Sequence, residues 1–116
     1  MYLDKLFNLK DKVAAVIGAG GHLCSEMAKS FARVGCKVAI IDLRLNKAQL
    51  VEKEINKEGF NNTISLALDV SRKEDHYKVV KEITDKFGTL DILVNGAGTN
   101  GSTPFLEIEE EEWDGI

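Results

Sequence analysis

No stretch of this sequence approaches the roughly twenty consecutive apolar residues that a bilayer-spanning helix needs, so a membrane is not expected as a partner. Residues 1–12 mix charges with single apolar residues and lack the continuous apolar core of a secretory leader. Cysteine is scarce. Cys24 and Cys36 lie in apolar or glycine-rich surroundings, and with no leader before them they are expected to be reduced thiols in a cytoplasmic protein. Clustered Lys/Arg is also missing: fifteen basic residues against nineteen acidic ones give a net charge of −4, which argues against nucleic acid as a partner. Internal repeats and low-complexity tracts are absent, and no domain boundary interrupts residues 1–116, whose 44% hydrophobic content suffices for one core.

What is present is an alternation of apolar blocks and helical patterns. The blocks at 13–17, 38–41, 64–68 and 92–94 are short, continuous and rich in Val and Ile. They lack the polar alternation of a half-exposed antiparallel strand, so helices should cover both faces of a parallel sheet. Helical patterns occupy 23–34, 48–57 and 73–87, giving the order βαβαβαβ. In the first helix Leu23, Met27, Phe31 and Val34 form an apolar stripe, with Gly35 at the left-handed cap position. The second is expected to open at Asn46 with Gln49 three positions on, and to stop near Gly59; the third opens at Ser71 with Glu74 in the capping-box position. Its inward stripe is Val79, Val80, Ile83 and Phe87. The acidic run 107–112, broken by Ile108, reads as the dipole-favoured first turn of a fourth helix docked by Trp113, rather than as a metal site or an acidic tail.

Between the first strand and first helix runs Gly18-Ala19-Gly20-Gly21-His22-Leu23-Cys24. Glycines there allow positive φ and close approach, while the free N–H groups and dipole of the following helix supply partial positive charge, a combination that cradles a pyrophosphate. Its position directly after the first strand makes the motif specific. Asp42 ends the second strand twenty-four residues after Gly18, near the spacing at which a carboxylate meets the adenosine ribose of a dinucleotide. The carboxylate would repel a 2′-phosphate and so favours NAD over NADP, an argument tempered by Arg44, whose guanidinium can pair with phosphate. The competing local role for Asp42 is a turn cap.

This loop, Asp69-Val70 after the third strand, and Asn95-Gly96-Ala97-Gly98 after the fourth resemble the three cofactor-side motifs of the short-chain dehydrogenase/reductase family in order and spacing. The resemblance implies an α/β Rossmann-type doubly wound parallel sheet whose first four strands run in the order 3-2-1-4, with residues 1–116 as the N-terminal part of a single NAD(P)-binding domain that stops within the fourth helix. It implies a cofactor held by Gly18, Gly20, Gly21, His22, Leu23, Asp42, Leu43, Asp69, Val70, Asn95, Ala97 and Gly98. Asp69 would accept a hydrogen bond from the adenine amino group while the Val70 backbone addresses the ring. Asn95 would border the cofactor, and Ala97 and Gly98 would keep the backbone close to the nicotinamide-side ribose. Local alternatives remain: Asp69 as a helix cap, Asn95 as a plain strand-end turn.

The chain departs from the family pattern at four places. His22 and Cys24 stand where glycines are usual, and Ile17 where a threonine is usual. Cys24 demands extra room between helix and strand, and Gly96, where the family more often has a second asparagine, is expected to provide it. His22 is expected to turn its ring to solvent while backbone amides bind the phosphates.

By the same resemblance the complete enzyme transfers a hydride between nicotinamide and the carbonyl or alcohol of a small molecule, using a serine, a tyrosine, a lysine and a further asparagine that all lie later than Trp113. No catalytic residue is therefore assigned: Tyr2 has no lysine four positions on, Tyr77 has Lys81 there but lies on a helix flanking the sheet, and Ser102 and Lys81 stand in the wrong context. No metal site is assigned either. The loop and the segment 95–104 most resemble family members acting on sugar acids or sugar alcohols, such as mannonate oxidoreductases, with Thr99 and Asn100 near the substrate side. Family members are commonly dimers or tetramers, so a homo-oligomer is expected at full length. Two other readings stay open: a nucleotide-binding module without turnover, and a chain that associates through the open edge of its fourth strand. A flavodoxin-like protein would leave Asp42, Asp69 and the Asn95 motif as coincidences.

Overall fold

The computed structural model describes residues 1–98 and 102–116. Its elements are α1 (Tyr2–Leu6), β1 (Val13–Ile17), α2 (His22–Arg33), β2 (Lys37–Asp42), α3 (Leu45–Lys57), β3 (Thr63–Ala67), α4 (Lys73–Phe87), β4 (Ile92–Asn95), a 3₁₀ turn (Phe105–Glu107) and α5 (Glu110–Gly115). The four strands are parallel in the order β3-β2-β1-β4, with Ile17 opposite both Ile41 and Asn95.

The Val/Ile/Ala runs of β1 and β2 send alternate side chains to opposite faces, and both faces are covered; β4, expected to be covered likewise, keeps one face open, with Leu93 62% exposed. Ala14, Val16, Val38 and Ile40 meet Ala28 and Ala32 of α2 and Val51 and Ile55 of α3. On the other face Val13, Ala15, Ala39 and Ile41 meet Val79 and Ile83 of α4. The steps β1 to β2 and β2 to β3 move one way along the sheet and place their helices on one face. The step from β3 to β4 passes back beyond β1, so at constant handedness its helix falls on the other face. The reversal lies between β1 and β4, and a crevice forms there outside the carboxyl ends of the strands.

Several expectations need correction. The buried stripe of α2 is Cys24, Ala28 and Ala32, four residues apart, while Leu23 is 67% exposed and Val34 54% exposed; Met27 and Phe31 pack only along the flank. Small side chains face the sheet because they let the helix approach it closely, which displaces the large ones sideways. In α4 the inward residues are Val79 and Ile83 with Phe87 partly buried, and Val80 is exposed. Helix α3 opens after Arg44, not at Asn46, because Asp42 Oδ1 accepts the Arg44 N–H at 3.0 Å and sets the turn two residues earlier. Helix α4 opens after Arg72, without a Ser71 cap: the Ser71 hydroxyl is directed back to Asp69 Oδ1, to which it donates at 2.6 Å, and makes no bond to the helix.

Glu110, Glu111 and Glu112 do form the first turn of α5, but Trp113 stays 62% exposed and meets Phe105 edge-on at 6.5 Å, since α5 buries no residue. Helix α1 went unanticipated; it too buries nothing. Gly35 takes the positive φ expected after α2, α3 stops near Gly59 as expected and Gly59 also takes a positive φ, and Cys24 and Cys36 are free, buried thiols. Burial, with a smaller push from Asp91, raises the Cys36 thiol above its ordinary range. Among the described residues no helix is long and apolar enough to cross a membrane.

The reassigned stripe of α2 can be checked by denaturant unfolding. Ala28→Leu should destabilise by about 1–3 kcal/mol through overpacking, whereas Leu23→Ala should change stability by less than about 0.5 kcal/mol. The opposite ranking would restore the Leu23 face.

Candidate functional site

The glycine loop is fixed before any ligand arrives. Gly18 takes φ +82°, and its N–H and that of Ala19 both donate to the Ile41 carbonyl, at 2.8 and 2.9 Å. Gly20 N–H donates to Asp42 Oδ2 at 3.0 Å, and Gly21 N–H closes a turn on the Gly18 carbonyl at 3.0 Å. The expectation that loop amides in general face phosphate therefore narrows, because those of Gly18 through Gly21 are engaged internally. Helix α2 starts at His22 with no side-chain cap, so the amides of its first turn, at His22, Leu23 and Cys24, are the ones without an intrahelical partner. His22 and Leu23 are exposed.

Space around the loop is as restricted as its hydrogen bonds. A Cβ at Gly20 would come within 2.7 Å of Asp42 Oδ2 and of Lys47 Cβ. A Cβ at Gly18 would come within 2.9 Å of the Gly96 carbonyl oxygen. The expected partnership of Cys24 and Gly96 is found: the Cys24 Sγ fills the place a Gly96 side chain would need, and Gly96 N–H donates to the Ile17 carbonyl at 3.0 Å. A groove of about 460 Å³ runs beside the loop between α2 and α3, lined among others by Gly20, Gly21, His22, Lys47 and Glu54.

Asp42, half-buried at the end of β2, uses one oxygen on Gly20 and the other on Arg44, so the turn-capping role considered above is real. Each carboxylate oxygen keeps a further lone pair for an outside donor. Leu43 beside it is exposed. Past β3, Asp69 Oδ1 accepts both the N–H and the hydroxyl of Ser71, which hold its carboxyl below the ordinary range, the hydroxyl most strongly. The Asp69 N–H donates to Asp75 Oδ2 at 3.2 Å, and His76 Nε2 lies 2.8 Å from the Val70 carbonyl oxygen. Neither Asp75 nor His76 stood out in the sequence. The signal was their place in the first turn of a helix that follows an Asp-containing loop, which the Ser71–Glu74 capping box obscured.

Asn95 ends β4, exposed, followed by half-buried Ala97 and exposed Gly98. Thr99 and Asn100 lie outside the described residues. Along the carboxyl edge of the sheet the order is thus Asp69-Val70, Asp42-Leu43, the glycine loop, then Asn95 with Ala97 and Gly98.

Removing the Cys24 sulfur should relieve a side chain introduced at Gly96. Gly96→Ala alone is expected to cost about 1–3 kcal/mol, and the double variant with Cys24→Ala should fall short of the summed losses by about 0.5 kcal/mol or more. Strict additivity in a double-mutant cycle would show that the two positions do not compete for space.

Comparison with known proteins points the same way. Residues 12–116 match the family model described as short chain dehydrogenase. The chain is 38% identical over 105 residues to an uncharacterised oxidoreductase, UxuB, of Bacillus subtilis, covering 90% of this chain and 37% of that protein. It is 36% identical over 111 residues to an NAD-dependent glycerol dehydrogenase of Listeria innocua, covering 96% and 42% respectively. A solved short-chain type dehydrogenase/reductase from Mycobacterium marinum superposes with a TM-score of 0.89 at 26% identity, over 98% of this chain and 46% of that one. The chain spans about two fifths of the length of these curated relatives.

Proposed function

The chain belongs to the short-chain dehydrogenase family, and from that premise we propose that it is the dinucleotide-binding half of an NAD-dependent oxidoreductase. The observation that carries this reading is the convergence of open polar groups along the carboxyl edge of the sheet. The first-turn amides of α2 stand ready for a pyrophosphate. Asp42 offers carboxylate lone pairs for the ribose hydroxyls. At Asp69-Val70 the turn's other groups are paired, and among the described residues the Val70 N–H and Asp69 Oδ2 have no partner. One donor beside one acceptor is the complement of an adenine edge, which presents a ring nitrogen beside an amino group. Asn95, Ala97 and Gly98 border the nicotinamide end.

A bound nicotinamide supplies or accepts a hydride at the substrate carbon. The residues of this chain bind and orient; they move no proton. On this reading the segment 1–116 alone binds nucleotide without turnover, and the whole protein acts on a small carbonyl or alcohol, in the cytoplasm and as a homo-oligomer. The relationship to a glycerol dehydrogenase supports a polyol or sugar-derived substrate.

Titration calorimetry with the two reduced cofactors tests the assignment. NADH should bind at least about tenfold more tightly than NADPH, because the 2′-phosphate would face the Asp42 carboxylate. Equal or tighter binding of NADPH would overturn the preference for NAD, and failure of both to bind would overturn the reading itself. Asp42→Ala should weaken NADH and also loosen the loop it holds through Gly20, so it is not expected to produce a clean switch to NADPH.

A further inference from the structure

We propose that His76 is a positioning residue for the adenine end of the site, an inference that rests on the reading of Asp69 and Val70 as that end. The peptide unit between Val70 and Ser71 is gripped from both sides: its carbonyl oxygen lies 2.8 Å from His76 Nε2, and its N–H donates to Asp69 Oδ1 at 3.0 Å. A carbonyl only accepts, so Nε2 carries the proton in this contact. The preceding unit is also held, its carbonyl by the Arg72 N–H at 3.0 Å, while Asp75 Oδ2 takes the Asp69 N–H at 3.2 Å.

Two side chains from the first turn of α4 therefore reach back and fix a surface turn that buries little of its own; Val70, Ser71 and Arg72 are exposed. Of the two, only His76 grips the far side of Val70. With its carbonyl tied to α4, the Val70 residue keeps its own N–H and the neighbouring Asp69 Oδ2 presented together. Releasing that carbonyl lets the Val70–Ser71 peptide rotate, which draws the Ser71 N–H off Asp69 Oδ1 and frees the carboxylate to turn its Oδ2 away from the Val70 N–H. His76 is exposed and belongs to neither apolar core, so its removal should not disturb the fold.

The test is calorimetric titration of the full chain with AMP and with NADH, for wild type, His76→Ala and His76→Gln. His76→Ala should weaken AMP and NADH by the same factor, about three- to tenfold, as expected for one lost hydrogen bond. The melting temperature without ligand should not change. His76→Gln, whose amide nitrogen occupies nearly the place of Nε2, should recover most of the loss. Unchanged AMP affinity in His76→Ala, or no recovery with glutamine, overturns the role of His76 while leaving the cofactor reading intact. If wild-type protein binds neither AMP nor NADH, the cofactor reading fails and this inference fails with it.

Discussion

Backbone meets backbone where the glycine loop crosses the end of β4, and the rest of the site takes its shape from that contact. Gly18 turns the chain out of β1 at φ +82° with no room for a side chain above the Gly96–Ala97 peptide. Because the two loops touch there, the start of α2 is drawn down onto the sheet, and only small residues fit beneath it: Cys24, Ala28 and Ala32. Cys24 is larger than the glycine its family usually places there, and the missing side chain at Gly96 compensates. The helix terminus is thereby delivered to the crevice with its first amides unused. A looser junction would leave the same amides without a fixed direction.

The polar groups around this junction divide into those consumed by the protein and those left over. Ile41 and Asp42 of β2 absorb the amides of Gly18, Ala19 and Gly20, and Ser71 and Asp75 absorb most of the turn after β3. What remains open is a short list with a pattern: amides at the head of α2, lone pairs on Asp42, one donor and one acceptor at Asp69-Val70. These groups are open to solvent at one end of the sheet, and their complementarity to a dinucleotide is what the proposed function rests on. At Asp42 the structural role and the proposed binding role need not compete, since a carboxylate has more acceptor sites than one loop requires.

The two central strands were legible because they are continuous Val/Ile/Ala runs buried on both faces, a signal that needs no knowledge of partners; β4 carries a similar run with one face open. The span of helix α4, 73–87, was legible from its apolar spacing, though its opening cap was not. The buried face of α2 was not, because large apolar residues dominate any reading of periodicity while the sheet selects small ones. The caps of α3 and α4 were misplaced for a related reason: Asp42 and Asp69 capture the turns ahead of Asn46 and Ser71, and such competition between neighbouring side chains is settled only by three-dimensional geometry. The Cys24–Gly96 pairing was foreseen as two departures that explain each other. The ties from Asp75 and His76 were missed, because the Ser71–Glu74 capping box obscured their place in the first turn after an Asp-containing loop.

The account stands on the placement of a dinucleotide across the carboxyl edge of the sheet, and amide chemical-shift mapping during an NAD titration tests that most directly. The amides of His22, Leu23 and Val70 should move together with those near Asn95, tracing one ligand from β3 to β4. Shifts confined to the exposed surface around Phe105 and Trp113, or none along the strand ends, would contradict it.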